Sequence, residues 1–163
     1  MSDKKIASQF LVNFFGGLFA TIPMTLWMMA ANRLFPTPVP DPLPPEEITV
    51  NLAKKANVES QLEPREKRKK ISLMNHFLYG GLIASPFGFV PFEIKREHAI
   101  SSGIGYGLLI WGSNYLGLLP KLALYPSAKE EPARMNGIMI AAHIIWGGAL
   151  GLISSRMIRK GAL

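Results

Sequence analysis

The stretch NGIMIAAHIIWGGALGLISS, Asn136 to Ser155, decides the fold. It contains no Asp, Glu, Lys or Arg. Its length of about 20 residues is what an α-helix needs to cross a bilayer. A surface helix of a soluble protein carries a charged face; this stretch carries none. Near its centre stands HIIWGG, His143 to Gly148. The same pattern of histidine, two apolar residues, an aromatic residue and two glycines occurs earlier as HFLYGG, His76 to Gly81.

The reading extends outward. Asp and Glu are absent from Lys4 to Pro40, from Lys67 to Phe92, from His98 to Lys129 and from Pro132 onward. Each window holds an apolar run long enough to span a membrane. The expected spans are Ile6–Phe35, Ile71–Phe92, Ile100–Leu119 and Met135–Met157, within one transmembrane domain over residues 1–163. The first contains Pro23, a point at which membrane helices can kink. The signal-like start MSDKKIASQF precedes an apolar run too long for a signal segment, so it reads as a retained span.

Residues 36–70 form the first loop. It opens on FPTPVPDPLPP, a proline-rich extended link. From Pro45 to about Val58 a short amphipathic interfacial helix is expected, because proline and two glutamates occupy its first turn. Its apolar stripe reads as Ile48, Leu52 and Ala56, turned toward lipid or the bundle, with Lys54 and Lys55 toward water.

The net charge of +7 comes from 18 basic and 11 acidic residues. The basic residues flank apolar runs, which fits lipid headgroups rather than nucleic acid. No cysteine is present, which excludes disulfides, thiol catalysis and cysteine-held metals. Charge placement gives conflicting signals on orientation: seven of the 18 basic residues fall on the side of the termini. The dense segments MSDKK and RMIRKGAL favour both termini in the cytoplasm.

The two histidine motifs suggest an internal repeat. Spans one and two form one hairpin, and spans three and four another in the same orientation, related by an axis along the membrane normal. Trp27, Asn32 and Pro36 in the first odd span match Trp111, Asn114 and Pro120 in the second. Small residues then set the packing, since apolar side chains gain little by leaving lipid for another helix. The candidates are Gly80, Ala84, Gly103, Gly107, Gly147 and Gly151. His76 and His143 lie on these small-residue stripes, with Asn136 on the second, and are expected inward, at one depth, with Gly80 and Gly147 one turn deeper.

Within the spans there is no carboxylate for a proton relay or cation site, and no arginine ladder for voltage sensing. Ser101, Ser102 or Ser113 could face His143, but no nucleophile motif surrounds them. Glu93, Glu97 and His98 read as a solvated interfacial turn. The leading role for each histidine is one interhelical hydrogen bond, to Asn114, Tyr115 or a carbonyl. A polar pathway comes second. Third, the two histidines could ligate a b-type haem. No other cofactor and no metal is expected.

PLPPEEIT, HFLYGG, WGSNYLGLLP and AHIIWGGALG resemble the small four-span bacterial inner-membrane proteins grouped with the YagU-like proteins of unknown function. The resemblance covers most of the chain and implies an inner-membrane location and four helices, but no reaction. SPFGF after the glycines of the second span departs from it.

The expected fold is therefore all-α: an integral membrane four-helix bundle of two parallel two-span hairpin repeats. The expected function is a non-enzymatic structural or accessory membrane component, embedded in the lipid bilayer and associated with other subunits or with itself. The alternative is a small channel or carrier lined by a His/Asn/Gly stripe, and the third reading is a bis-histidine haem electron-transfer unit.

Overall fold

The computed structural model describes residues 3–35, 42–89 and 98–159. Every regular element among them is helical. The order is α1 (Asp3–Leu34), α2 (Pro44–Lys55), a 3-10 turn (Glu59–Leu62), α3 (Arg65–Ala84) with a 3-10 extension (Ser85–Phe89), α4 (Ala99–Ser113), a π turn (Asn114–Leu118), α5 (Leu119–Lys121) and α6 (Ala133–Arg159). Most of FPTPVPDPLPP, together with Glu93 and Glu97, lies outside the described residues.

Two helices are long and apolar enough to cross a membrane, through Ala7–Leu34 and Ala133–Met157. The other two expected spans differ for local reasons. Helix α3 starts at Arg65, so the charged EKRKK run is helical rather than a lead-in. At the other end Pro86, which cannot donate to the preceding turn, sits in the tighter 3-10 segment. Helix α4 is 15 residues long before the π turn, and the helical path then continues to Lys121.

Helix α1 runs through Pro23. Thr21 donates to the Gly17 carbonyl at 2.8 Å and Thr25 to the Thr21 carbonyl at 2.7 Å, internal bonds that keep hydroxyls satisfied in apolar surroundings. Its outward face carries Leu11, Phe15, Phe19, Ile22 and Leu26, all exposed. Its inward face carries Asn13, Gly16, Gly17, Ala20 and Thr21, all buried. These outward residues are thus all large and apolar, while the inward face mixes these small and polar residues with Val12, Met24 and Met28.

Helix α1 packs against both α3 and α6, and α4 packs on α6, so neighbours run α3–α1–α6–α4. Glycines make these contacts close. A side chain at Gly17 would strike the Gly80 carbonyl and Ala84, and one at Gly147 would strike the Gly103 carbonyl. Gly107 abuts the His143 carbonyl and Gly151 the Ala99 carbonyl in the same way.

Helix α2 forms where proline at its start and Glu46 and Glu47 in its first turn favour it. Polar ties clamp it to the bundle. Arg68 pairs with Glu46 at 3.0 Å, Asn75 donates to Thr49 at 3.4 Å, and Asn51 donates to the Leu124 carbonyl at 3.0 Å. These ties set how the expected stripe of Ile48, Leu52 and Ala56 lies. The clamp turns small residues, Thr49 and Ala53, into the buried face. Ile48 remains packed on the core, Leu52 is exposed and Ala56 is the exposed C-cap.

Candidate functional site

Helices α3 and α4 are consecutive in the chain yet lie at opposite ends of the packing order. Their main chains stay apart, and a cavity of about 400 Å³ lies beside α3, faced across the gap by Ile110 of α4 and by Asn114, Tyr115 and Leu119 beyond its end. Thr21, Met24 and Met28 of α1 and Met139, His143 and Trp146 of α6 contribute its inner wall. Pro45, Ile48, Thr49 and Leu52 of α2 close one end. Side chains alone bridge the gap: Tyr79 donates to Asn114 Oδ1 at 2.8 Å, Tyr106 donates to the Ile83 carbonyl, and the Phe87 and Tyr106 rings lie 5.1 Å apart.

Both motif histidines line this cavity, and so do Asn114 and Tyr115. Asn114 and Tyr115 belong to the π turn, a device frequent at functional sites. Asn136 lies elsewhere. It donates to the Ala128 carbonyl and clamps the 122–132 loop onto the start of α6. Gly80 is on the cavity wall, while Ala84, Gly103, Gly107, Gly147 and Gly151 serve helix contacts.

The histidines differ in their bonding, and neither makes the expected interhelical bond among the hydrogen bonds found. His143 Nδ1 lies 2.8 Å from the Met139 carbonyl, one turn back on its own helix. A carbonyl only accepts, so Nδ1 carries the hydrogen and, in the neutral ring, Nε2 keeps the lone pair. The Tyr115 ring meets the His143 ring edge-on at 5.8 Å and fixes its plane. His76 Nε2 is buried without a partner. No serine named in the sequence analysis lines the cavity; Ser101 instead donates to the carbonyl of His98, which is exposed at the start of α4.

Trp146 was the residue missed. It is 2 % exposed, stacks on Tyr106 at 6.2 Å, and lines the cavity with an indole N–H that has no acceptor. The signal was the motif itself. Histidine and aromatic residue stand three apart in both copies, a spacing that puts them on one helix face, and both aromatics, Tyr79 and Trp146, carry a polar handle.

Among the described residues no Lys, Arg, Asp or Glu lines the cavity. A haem there would find no cation for its propionates within that lining. Among the described residues no group of three or more His, Asp or Glu is placed to hold a metal ion. The arrangement can exclude water, contact an apolar body of small-molecule size, and offer a few hydrogen-bonding atoms to one end of it. Comparison with protein-family models, with curated proteins and with solved structures finds no match.

Proposed function

We propose that this chain is a four-span integral protein of the inner membrane, and that it serves as a non-enzymatic accessory component holding a small lipophilic guest in its core. The observation that carries the reading is the cavity beside α3, walled by apolar side chains and set with unpartnered polar atoms of His76 and Trp146. Ligand sites are mostly apolar concavities with a few placed polar groups, of roughly 300–1,000 Å³.

Membrane insertion is supported by the inside-out pattern of α1, whose exposed face is its large apolar one. An aqueous surface rarely carries so long an apolar face. Helical continuity through Phe89 and from Ala99 to Lys121 gives α3 and α4 the length for two more spans. The repeat is supported by the motif glycines. Gly80 of the first copy meets Gly17 of its hairpin partner, and Gly147 of the second meets Gly103 of its own. The basic ends MSDKK and RMIRKGAL favour cytoplasmic termini.

The test is purification in mild detergent, followed by an absorption spectrum and mass spectrometry of the extracted small molecules. The expected result is one lipophilic compound enriched over the bulk lipid, no Soret band, and loss of the compound in Leu78→Trp, which fills the cavity mouth. A compound retained equally by that variant counts against the reading, and a Soret band moves the function to haem.

A further inference from the structure

We infer that the guest is an uncharged amphiphile whose polar end is a single hydroxyl or carbonyl oxygen, and that it reaches the cavity sideways at the rim formed by α2 and α3. This rests on the proposed guest-binding role and specifies the chemistry of the guest.

Charge is the first argument. Among the described residues the lining has no Lys, Arg, Asp or Glu to match a phosphate, a carboxylate or an ammonium. A charged headgroup would lose its hydration and find no counter-charge, a cost that apolar contact does not recover. The polar atoms give the second argument. The Trp146 indole can only donate, so it requires an acceptor. Its N–H is buried at 2 % residue exposure and has none. The indole nitrogen lies against Gly80, where the Thr21 hydroxyl fills the place a side chain would take, and Thr21 donates to the Gly17 carbonyl. His76 Nε2, also without a partner, lines the same cavity. A neutral oxygen meets either need: it accepts from Trp146, and at His76 it donates as a hydroxyl or accepts as a carbonyl.

The rim gives the route. Leu52, Leu78, Tyr79 and Leu82 line the cavity and are each more than two-fifths exposed, so they form its mouth. Three are apolar, which suits a hydrocarbon chain arriving from lipid. The fourth, Tyr79, ties the mouth to Asn114.

The full chain, reconstituted in phosphatidylcholine vesicles, is exposed to chain-labelled diazirine analogues of dodecanol, 2-dodecanone, dodecyl phosphate and dodecyltrimethylammonium. Labelled residues are mapped after photolysis. Dodecanol or dodecanone is expected to label cavity residues saturably, and Trp146→Phe and His76→Leu are each expected to weaken that labelling about tenfold, the loss of one buried hydrogen bond. The fixed-charge probes are expected to label only lipid-facing residues such as Phe15 and Phe19. Preference for the alcohol identifies His76 as acceptor; equal use of the ketone identifies it as donor. Saturable cavity labelling by a charged probe overturns the neutral class and leaves the guest-binding role standing. Neutral labelling unchanged in both variants overturns recognition through the oxygen. Failure of every probe to saturate the cavity overturns the inference and the guest-binding role together.

Discussion

The α1/α6 seam and the α3/α4 seam would be equivalent if the two hairpins were copies, yet they are built oppositely. At the first, Gly16 lets Leu150 approach, and Ser154 donates to Asn13 Oδ1 at 2.8 Å, with both side chains almost fully buried. At the second, two tyrosines span a gap that small residues do not fill. The difference teaches where stability and function separate. In the proposed lipid setting, where helices have no hydrophobic drive toward one another, contact needs small residues or matched polar pairs. A seam with neither stays open and can hold a guest.

The strongest way to break this comparison is to wedge the closed half. Gly147→Leu puts a side chain against the Gly103 main chain, which cannot swing aside as a flexible side chain can. Overpacking of this kind costs about 1–3 kcal/mol and can exceed that where backbone must shift. A steep loss of folded protein in a thermal melt is expected, whereas Gly117→Leu, with open space around it, should melt near the parent.

Ser154→Ala should come next. It removes the donor to Asn13 and leaves a buried amide oxygen without its partner, a loss of about 1–2 kcal/mol. Denaturant titration in mixed micelles measures it. A change near zero would mean that the closed seam rests on small-residue contact alone.

These two positions also show what the sequence made legible. Acid-free windows located the four long helical segments, because a missing charge pattern is itself a signal over about 20 residues. Glycine spacing located the contacts of Gly103, Gly107, Gly147 and Gly151, because only glycine allows backbones so close. The cavity was not legible. It exists because α3 and α4 do not pair, and pairing between helices is not written in the period of either one. The π turn at Asn114 has no composition signal, though it brings Asn114 and Tyr115 to the cavity. The rotation of α2 depends on the distant partners Arg68 and Asn75, so its own apolar spacing does not by itself fix the buried face.

At the open seam, Tyr79→Phe should separate stability from access. The lost bond to Asn114 is partly exposed, and such bonds between membrane helices average about 0.6 kcal/mol. The melting temperature should therefore move little. Release of the dodecanol analogue after dilution should become faster, since nothing else polar named at the mouth ties α3 to the π turn. Unchanged release would place the route elsewhere.

The smallest effect on stability is expected from His76→Leu, and it sharpens the comparison most. Had His76 carried an interhelical hydrogen bond, its loss would cost roughly 1 kcal/mol. Its Nε2 has no partner, so no bond from that nitrogen is lost, and leucine removes a buried polar atom that was unsatisfied. The thermal melt without guest should match the parent or lie slightly above it. His143→Leu is the internal control: it deletes the 2.8 Å bond to the Met139 carbonyl and the ring contact with Tyr115, so it should lower the melt modestly. A clear drop for His76→Leu, as large as for His143→Leu, would make the two motif histidines equivalent packing residues and remove the reason for assigning the first one to a guest.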